Sequence, residues 1–118
     1  MSQIISTIKA EVYDSNNVRT GWLEEEKTLT YKNAVRGYMT IDKATADKSI
    51  DLINTQIEYL AIYSSAAIKI RVNDITNPQI DINGQFVLDG SEITELYITN
   101  PDADNSITID IVQGDELV

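Results

Sequence analysis

The feature that most constrains this chain is a strict alternation of β-branched and polar residues, written twice. Ile57–Val72 and Ile93–Ile111 each run through an apolar strand, a small polar turn and a second strand that alternates residue by residue. Ile57, Leu60 and Ile62 correspond to Ile93, Leu96 and Ile98 at one constant spacing. Ile68, Ile70 and Val72 correspond to Ile107, Ile109 and Ile111 at a spacing three residues longer, so the second turn is the longer one. The lead-in residues Ile50 and Leu52 match Phe86 and Leu88 in the same way. A period of two puts alternate side chains on opposite faces of a strand, so one face is committed to a core. Residues 50–72 and 86–111 therefore read as an internal strand-hairpin repeat.

The remainder is also strand-like. Ile4, Ile8, Ala10 and Val12 fit one face of a strand and Ile4, Ile5, Ile8 and Val12 a helical stripe, and the isoleucines and valine favour the strand. Ser15-Asn16-Asn17 reads as a turn. The run Glu24-Glu25-Glu26 reads as a solvated edge or loop. Thr28–Tyr31, Tyr38–Asp42 and Ser49–Leu52 read as short strands, with Lys43–Lys48 a polar connection. Glu58–Ser64 is apolar on both faces, which suits a central strand covered on both sides. Asn83-Gly84 predicts a type I′ hairpin and Asp89-Gly90 a further turn, while Pro101 ends the strand before it. Seven to nine short strands without a confident helix predict one all-β domain over residues 1–118, an antiparallel β-sandwich or barrel. A duplicated hairpin with long connections suits a jelly-roll or Greek-key arrangement. Residues 1–33 lie outside the repeat, as edge strands of this domain or as a docking segment.

Composition closes off several chemistries. With 19 acidic and 9 basic residues the net charge is −10, which opposes a nucleic-acid partner because there is no basic stripe to offset phosphate repulsion. Cysteine and histidine are both absent, so Cys/His zinc sites, Cys–His and Ser–His nucleophile pairs and disulfides are excluded. The five glycines are scattered singly and form no phosphate loop. No apolar run approaches the roughly 20 residues of a membrane helix, and no secretory signal is visible at the N-terminus. Asp102, Asp104 and Asn105 resemble the start of a calcium loop without its glycine and closing glutamate, and read as a self-bonded turn. The expectation is a protein without enzymatic activity, cofactor or metal. The aromatic residues Tyr13, Trp22, Tyr31, Tyr38, Tyr59, Tyr63 and Tyr97 are core fillers, subunit contacts or a sugar-stacking platform.

The run IEYLAIYSSAAIKIRVND, followed by DINGQFVLDGSEITELYITNPDADNSITIDIVQG, resembles small β-sandwich structural proteins of tailed-bacteriophage virions. The residues that carry the likeness are Leu60, Ile62, Ser64, Ile68, Ile70, Val72 and Asn73, then Leu96, Tyr97, Ile98 and Asn100. It covers about residues 47–114. The resemblance implies a virion protein, assembled in the host bacterial cytoplasm. Its implied role is head decoration or auxiliary capsid protein, with head-fibre and connector roles in the same class. Its partners would be other virion proteins and further copies of itself. The rival expectation is a carbohydrate-binding β-sandwich that stacks sugars on exposed aromatic rings.

The first third gives the docking expectation its residues. Ile4, Ile5, Ile8, Val12, Trp22 and Leu23 are large apolar side chains in a terminal segment that the repeat does not need. Terminal segments seldom keep so many unless something buries them.

Overall fold

In the computed structural model, which describes residues 1–118, the chain forms ten β-strands and no helix. The strands are β1 (Ser2–Tyr13), β2 (Arg19–Tyr31), β3 (Ala34–Ile41), β4 (Thr45–Ser49), β5 (Ile57–Ser64), β6 (Ile68–Val72), β7 (Ile80–Ile82), β8 (Gln85–Ile93), β9 (Leu96–Asn100) and β10 (Ile107–Gly114). Every pairing is antiparallel. One four-stranded sheet has the order β3-β10-β5-β8 and the other β4-β9-β6-β7; β1 and β2 form a separate two-stranded ribbon. The all-β sandwich is therefore present, with more strands than the seven to nine expected.

The core lies between the two four-stranded sheets, where alternation predicts it. Ile107, Ile109 and Ile111 of β10 meet Ile68 and Ile70 of β6 and Leu96 and Ile98 of β9 in one buried cluster, with Ile57, Leu60, Ile62 and Ile93. Ile68 and Ile107, at corresponding positions of the expected repeat, are both buried. Each fully buried side chain of this size stabilises the fold by about 1.5–3 kcal/mol, so this cluster dominates the stability of the molecule.

The expected hairpins are not hairpins. β5 pairs with β8 and β10, whereas β6 pairs with β7 and β9, so the Ser64–Ala67 turn carries the chain from one sheet to the other. The β9–β10 connection does the same in the opposite direction. Among consecutive strands of the sandwich only β6 and β7 are neighbours. Inward faces of both strands are still buried, because a corner and a hairpin leave the same alternation on the strands they join. Asn83-Gly84 is likewise a corner between sheets. Gly84 has φ +97° but Asn83 is not in the left-handed region, and a type I′ turn needs positive φ at both. Asp89-Gly90 is interior to β8: Gly90, at φ +83°, lies where the register with β5 shifts between Ile57 and Tyr59, so the glycine serves a bulge.

Two boundaries also differ from expectation. The polar stretch Lys43–Lys48 supplies most of β4, an edge strand whose pairing with β9 is irregular, and β4 ends at Ser49. Ile50 follows it and remains buried, its N–H donating to the Leu96 carbonyl. The Glu24–Glu26 run lies exposed inside the 13-residue strand β2 of the two-stranded ribbon, the solvated edge rather than the loop of the two expected alternatives.

Candidate docking surface

The ribbon is tied to the sandwich at its root. Ile4, Leu29 and Tyr31 form a second buried cluster with Tyr59 of β5, flanked by Ala34, Ala61 and Val112. The Tyr31 and Tyr59 ring centroids are 6.2 Å apart and tilted by 55°. Tyr59 donates its hydroxyl hydrogen to Ser6 Oγ at 2.9 Å, and Lys27 Nζ reaches Asp89 Oδ2 at 3.4 Å. Burial beside Asp89 pushes the Tyr31 hydroxyl up to about 12. The ribbon covers the outer face of β5 at Tyr59 and in part at Ala61, leaving Tyr63 exposed, and the opposite sheet covers the inner face, which accounts for its two-sided apolar sequence. Residues 1–33 belong to neither edge of the sandwich.

Beyond the root only Thr7, Ile8 and Lys9 face the sandwich, across an open cleft shared with Gln85, Phe86 and Val87, and the rest of the ribbon is largely exposed. The register pairs Ile4 with Leu29, Ile8 with Glu25, Ala10 with Leu23 and Val12 with Gly21. Alternation therefore places Ile4, Ile8, Val12 and Leu23 on the face that meets the sandwich at its root. Ile5 and Trp22 occupy the opposite face. Ile4 is 8% exposed and belongs to the chain's own packing, which removes it from the set of free docking residues. Ile5, Ile8, Val12, Trp22 and Leu23 are 63%, 50%, 61%, 67% and 48% exposed. Arg19 lies 4.6 Å from the Trp22 ring centroid, a cation–π contact that leaves the indole on the surface. The ribbon ends in a turn closed by Asp14, whose carboxylate accepts from the N–H groups of Asn16 and Val18.

An open apolar cleft of about 480 Å³ runs between β1 and the outer face of the β3-β10-β5-β8 sheet, floored by Ala61, Val87 and Val112. On that sheet face Tyr38 and Tyr63 flank Asp110 on neighbouring strands, and both rings are exposed. Arg36 pairs with Asp110 at 2.6 Å and lies 4.9 Å from the Tyr38 ring centroid. This ion pair holds the Asp110 carboxyl below its usual range. The aromatic residues do not converge on one platform. Tyr31 and Tyr59 are buried at the root, Tyr13 and Trp22 sit near the ribbon tip, and Tyr97 is half-buried on β9 of the other sheet.

The carboxylates do not converge either, and no three of them form a cluster able to hold a metal. Alternation sends Glu24 and Glu26 to one face of the ribbon and Glu25 to the other. Asp102 accepts from the N–H groups of Asp104 and Asn105, which draws its carboxyl below the ordinary range and makes the self-bonded turn expected there. Sequence reasoning missed the Tyr31–Tyr59 anchor and Asp115. The signal for the first was present in the two-sided β5, but nothing local tells a tyrosine which element will cover it. No family model, curated protein or solved structure matches this chain.

Proposed function

We propose that the chain is a non-enzymatic virion structural protein of a tailed phage, most simply a head decoration or auxiliary capsid protein, that docks through the distal half of its β1–β2 ribbon. The observation that carries this reading is the exposed apolar set Ile8, Val12 and Leu23, which shares a ribbon face with Glu25 and with Ile4 of the chain's own packing. Burying such side chains contributes about 1.5–3 kcal/mol each, enough in combination to offset ordering costs. None of Glu24, Glu25 and Glu26 is ion-paired within the chain, and the whole chain carries −10. The complementary surface is an apolar groove with a basic rim on another virion protein. Self-association of copies on the shell belongs to the same reading.

The sandwich is read as a jelly roll containing the internal repeat. The strand orders support this, because adding four to each number in β3-β5 and β4-β6 turns every neighbouring pair of one sheet into a pairing region of the other, so that β3-β10-β5-β8 maps onto β4-β9-β6-β7 reversed.

The test replaces residues 8–25 with Asn-Gly, joining Thr7 to Glu26 while keeping Ile4, Leu29 and Tyr31. The expected product folds but no longer joins its particle; normal assembly would refute the docking role. A second reading rests on one observation, the exposed Tyr38 and Tyr63 rings flanking Asp110. In it the sheet face stacks on sugars. Titration with a panel of oligosaccharides decides it, since chemical-shift changes confined to this face and lost in Tyr63→Ala would support sugar binding.

A further inference from the structure

The ribbon and the sandwich are joined covalently only through Lys32-Asn33, the two residues between β2 and β3. A link this short would ordinarily act as a hinge. Here it is gripped from the far end of the chain. The Asp115 carboxylate accepts from the Asn33 backbone N–H and from Asn33 Nδ2, both at 2.8 Å, and from Asn54 Nδ2 at 3.4 Å. The Asp115 N–H in turn donates to the Asn33 carbonyl at 3.0 Å. The next residues continue the grip onto β2. Lys32 N–H donates to the Glu116 carbonyl, Val118 N–H donates to the Thr30 carbonyl, and Tyr31 forms an isolated antiparallel bridge with Leu117. Leu117 N–H also donates to Glu58 Oε2 on β5, and Lys32 Nζ lies 2.9 Å from Glu116 Oε2. At Gly114 a Cβ would stand 2.8 Å from the Tyr31 ring, so the missing side chain lets that ring seat.

We propose that residues 114–118 are a clamp that fixes the direction of the ribbon relative to the sandwich. Asp115 is buried and polar, placed after the last inward isoleucines of β10, where the sandwich core has no use for it. Apart from the adjacent Glu116 N–H, its partners lie at the ribbon junction and in the loop beside it. A ribbon held at one angle presents its tip without first having to be ordered, which reduces the entropic cost of association. That consequence rests on the docking reading above; the clamp itself does not.

The experiment uses the protein without any partner, so a failure of docking and a failure of the clamp are read separately. Trp22, the only tryptophan, sits toward the ribbon tip and reports its motion through fluorescence anisotropy decay. Two variants are compared with the parent: one lacking residues 115–118, and Asp115→Asn. Amide exchange is followed at Ile4 and Leu29 in the ribbon root and at Ile62 and Ile109 in the sandwich. The expected result is a shorter Trp22 correlation time and about tenfold faster exchange in the root, with Ile62 and Ile109 unchanged. Unchanged ribbon signals in Asp115→Asn would overturn the clamp, and so would equal loss of protection in root and sandwich. If the shortened chain fails to fold, the Asp115→Asn protein decides alone.

Discussion

The ribbon and the sandwich are written in the same alphabet and come out opposite. Ile109 in β10 is 0% exposed, while Ile5 in β1 is 63% exposed, although both are β-branched residues in long antiparallel strands. The difference is the second layer. Each sandwich sheet has another sheet against its inner face, whereas the two-stranded ribbon has cover only where Tyr59, Ala61 and Val112 lie beneath its root. A lone two-stranded ribbon is at best marginally stable in water. The root cluster and the clamp therefore sustain the ribbon, and the tip is left available.

The largest effects should come from breaking the layer that the ribbon lacks. Ile109→Ala opens a cavity in the fully buried core and should cost about 2–5 kcal/mol. Chemical denaturation followed by far-UV circular dichroism measures it; a loss as small as that of a surface substitution would contradict the sandwich core. Gly114→Ala should act on the other region, forcing the Tyr31 ring to shift at a cost of about 1–3 kcal/mol. Its signature is faster amide exchange at Ile4 and Leu29 before Ile62 is affected, and exchange that rises first at Ile62 would place the strain in the wrong region.

Acid should sharpen the same contrast. The Asn33 side chain, the Asn33 and Glu116 backbone N–H groups and Asn54 together hold the Asp115 carboxyl at about 2, against the burial that would raise it. Its unfolded value is near 3.9. Because the folded value is the lower one, the contribution is complete above about pH 4 and is lost as the pH falls through about 2. Lys32, Glu58 and Glu116 are the charged neighbours at the junction. Trp22 anisotropy should therefore drop across that window in the parent protein. In Asp115→Asn it should start low and change little; identical acid profiles for the two would remove Asp115 from the account.

The smallest effect on stability belongs to the tip. Ile8→Ser, Leu23→Ser and Trp22→Ala should each stay within about 0.5 kcal/mol of the parent, since these side chains are about half exposed or more and Trp22 gives up only its surface contact with Arg19. Ile8→Ser and Leu23→Ser should abolish docking, whereas Trp22→Ala, on the opposite face, should leave it in place. A tip variant that melts like Ile109→Ala would mean the ribbon face is core after all.

Much of this was legible in the residues. Alternation in β10 and β9, the two-sided character of β5 and the strand break at Pro101 follow from side-chain period and backbone chemistry, which are local. The polar edge strand Thr45–Ser49 was not legible, because backbone pairing with β9 sustains it and apolar periodicity does not mark it. Of the candidate docking residues, Ile5, Ile8, Val12, Trp22 and Leu23 could be picked out as apolar residues beyond what the expected repeat requires. Their separation from the buried Ile4 depends on how far the sandwich surface extends beneath the ribbon.

What the sequence determined by itself is which side chains of the alternating strands face inward and the absence of histidine and cysteine chemistry. Both are properties of residue order alone. Tertiary structure decided which strands become neighbours. Asn83-Gly84 and Ser64–Ala67 are as compatible with a hairpin as with a corner, and only the closure of two sheets over one isoleucine core selects the corner. It also decided that Asp115, far along the chain from Asn33, would grip the ribbon junction. A carboxylate finds such donors only after the last strand has been seated.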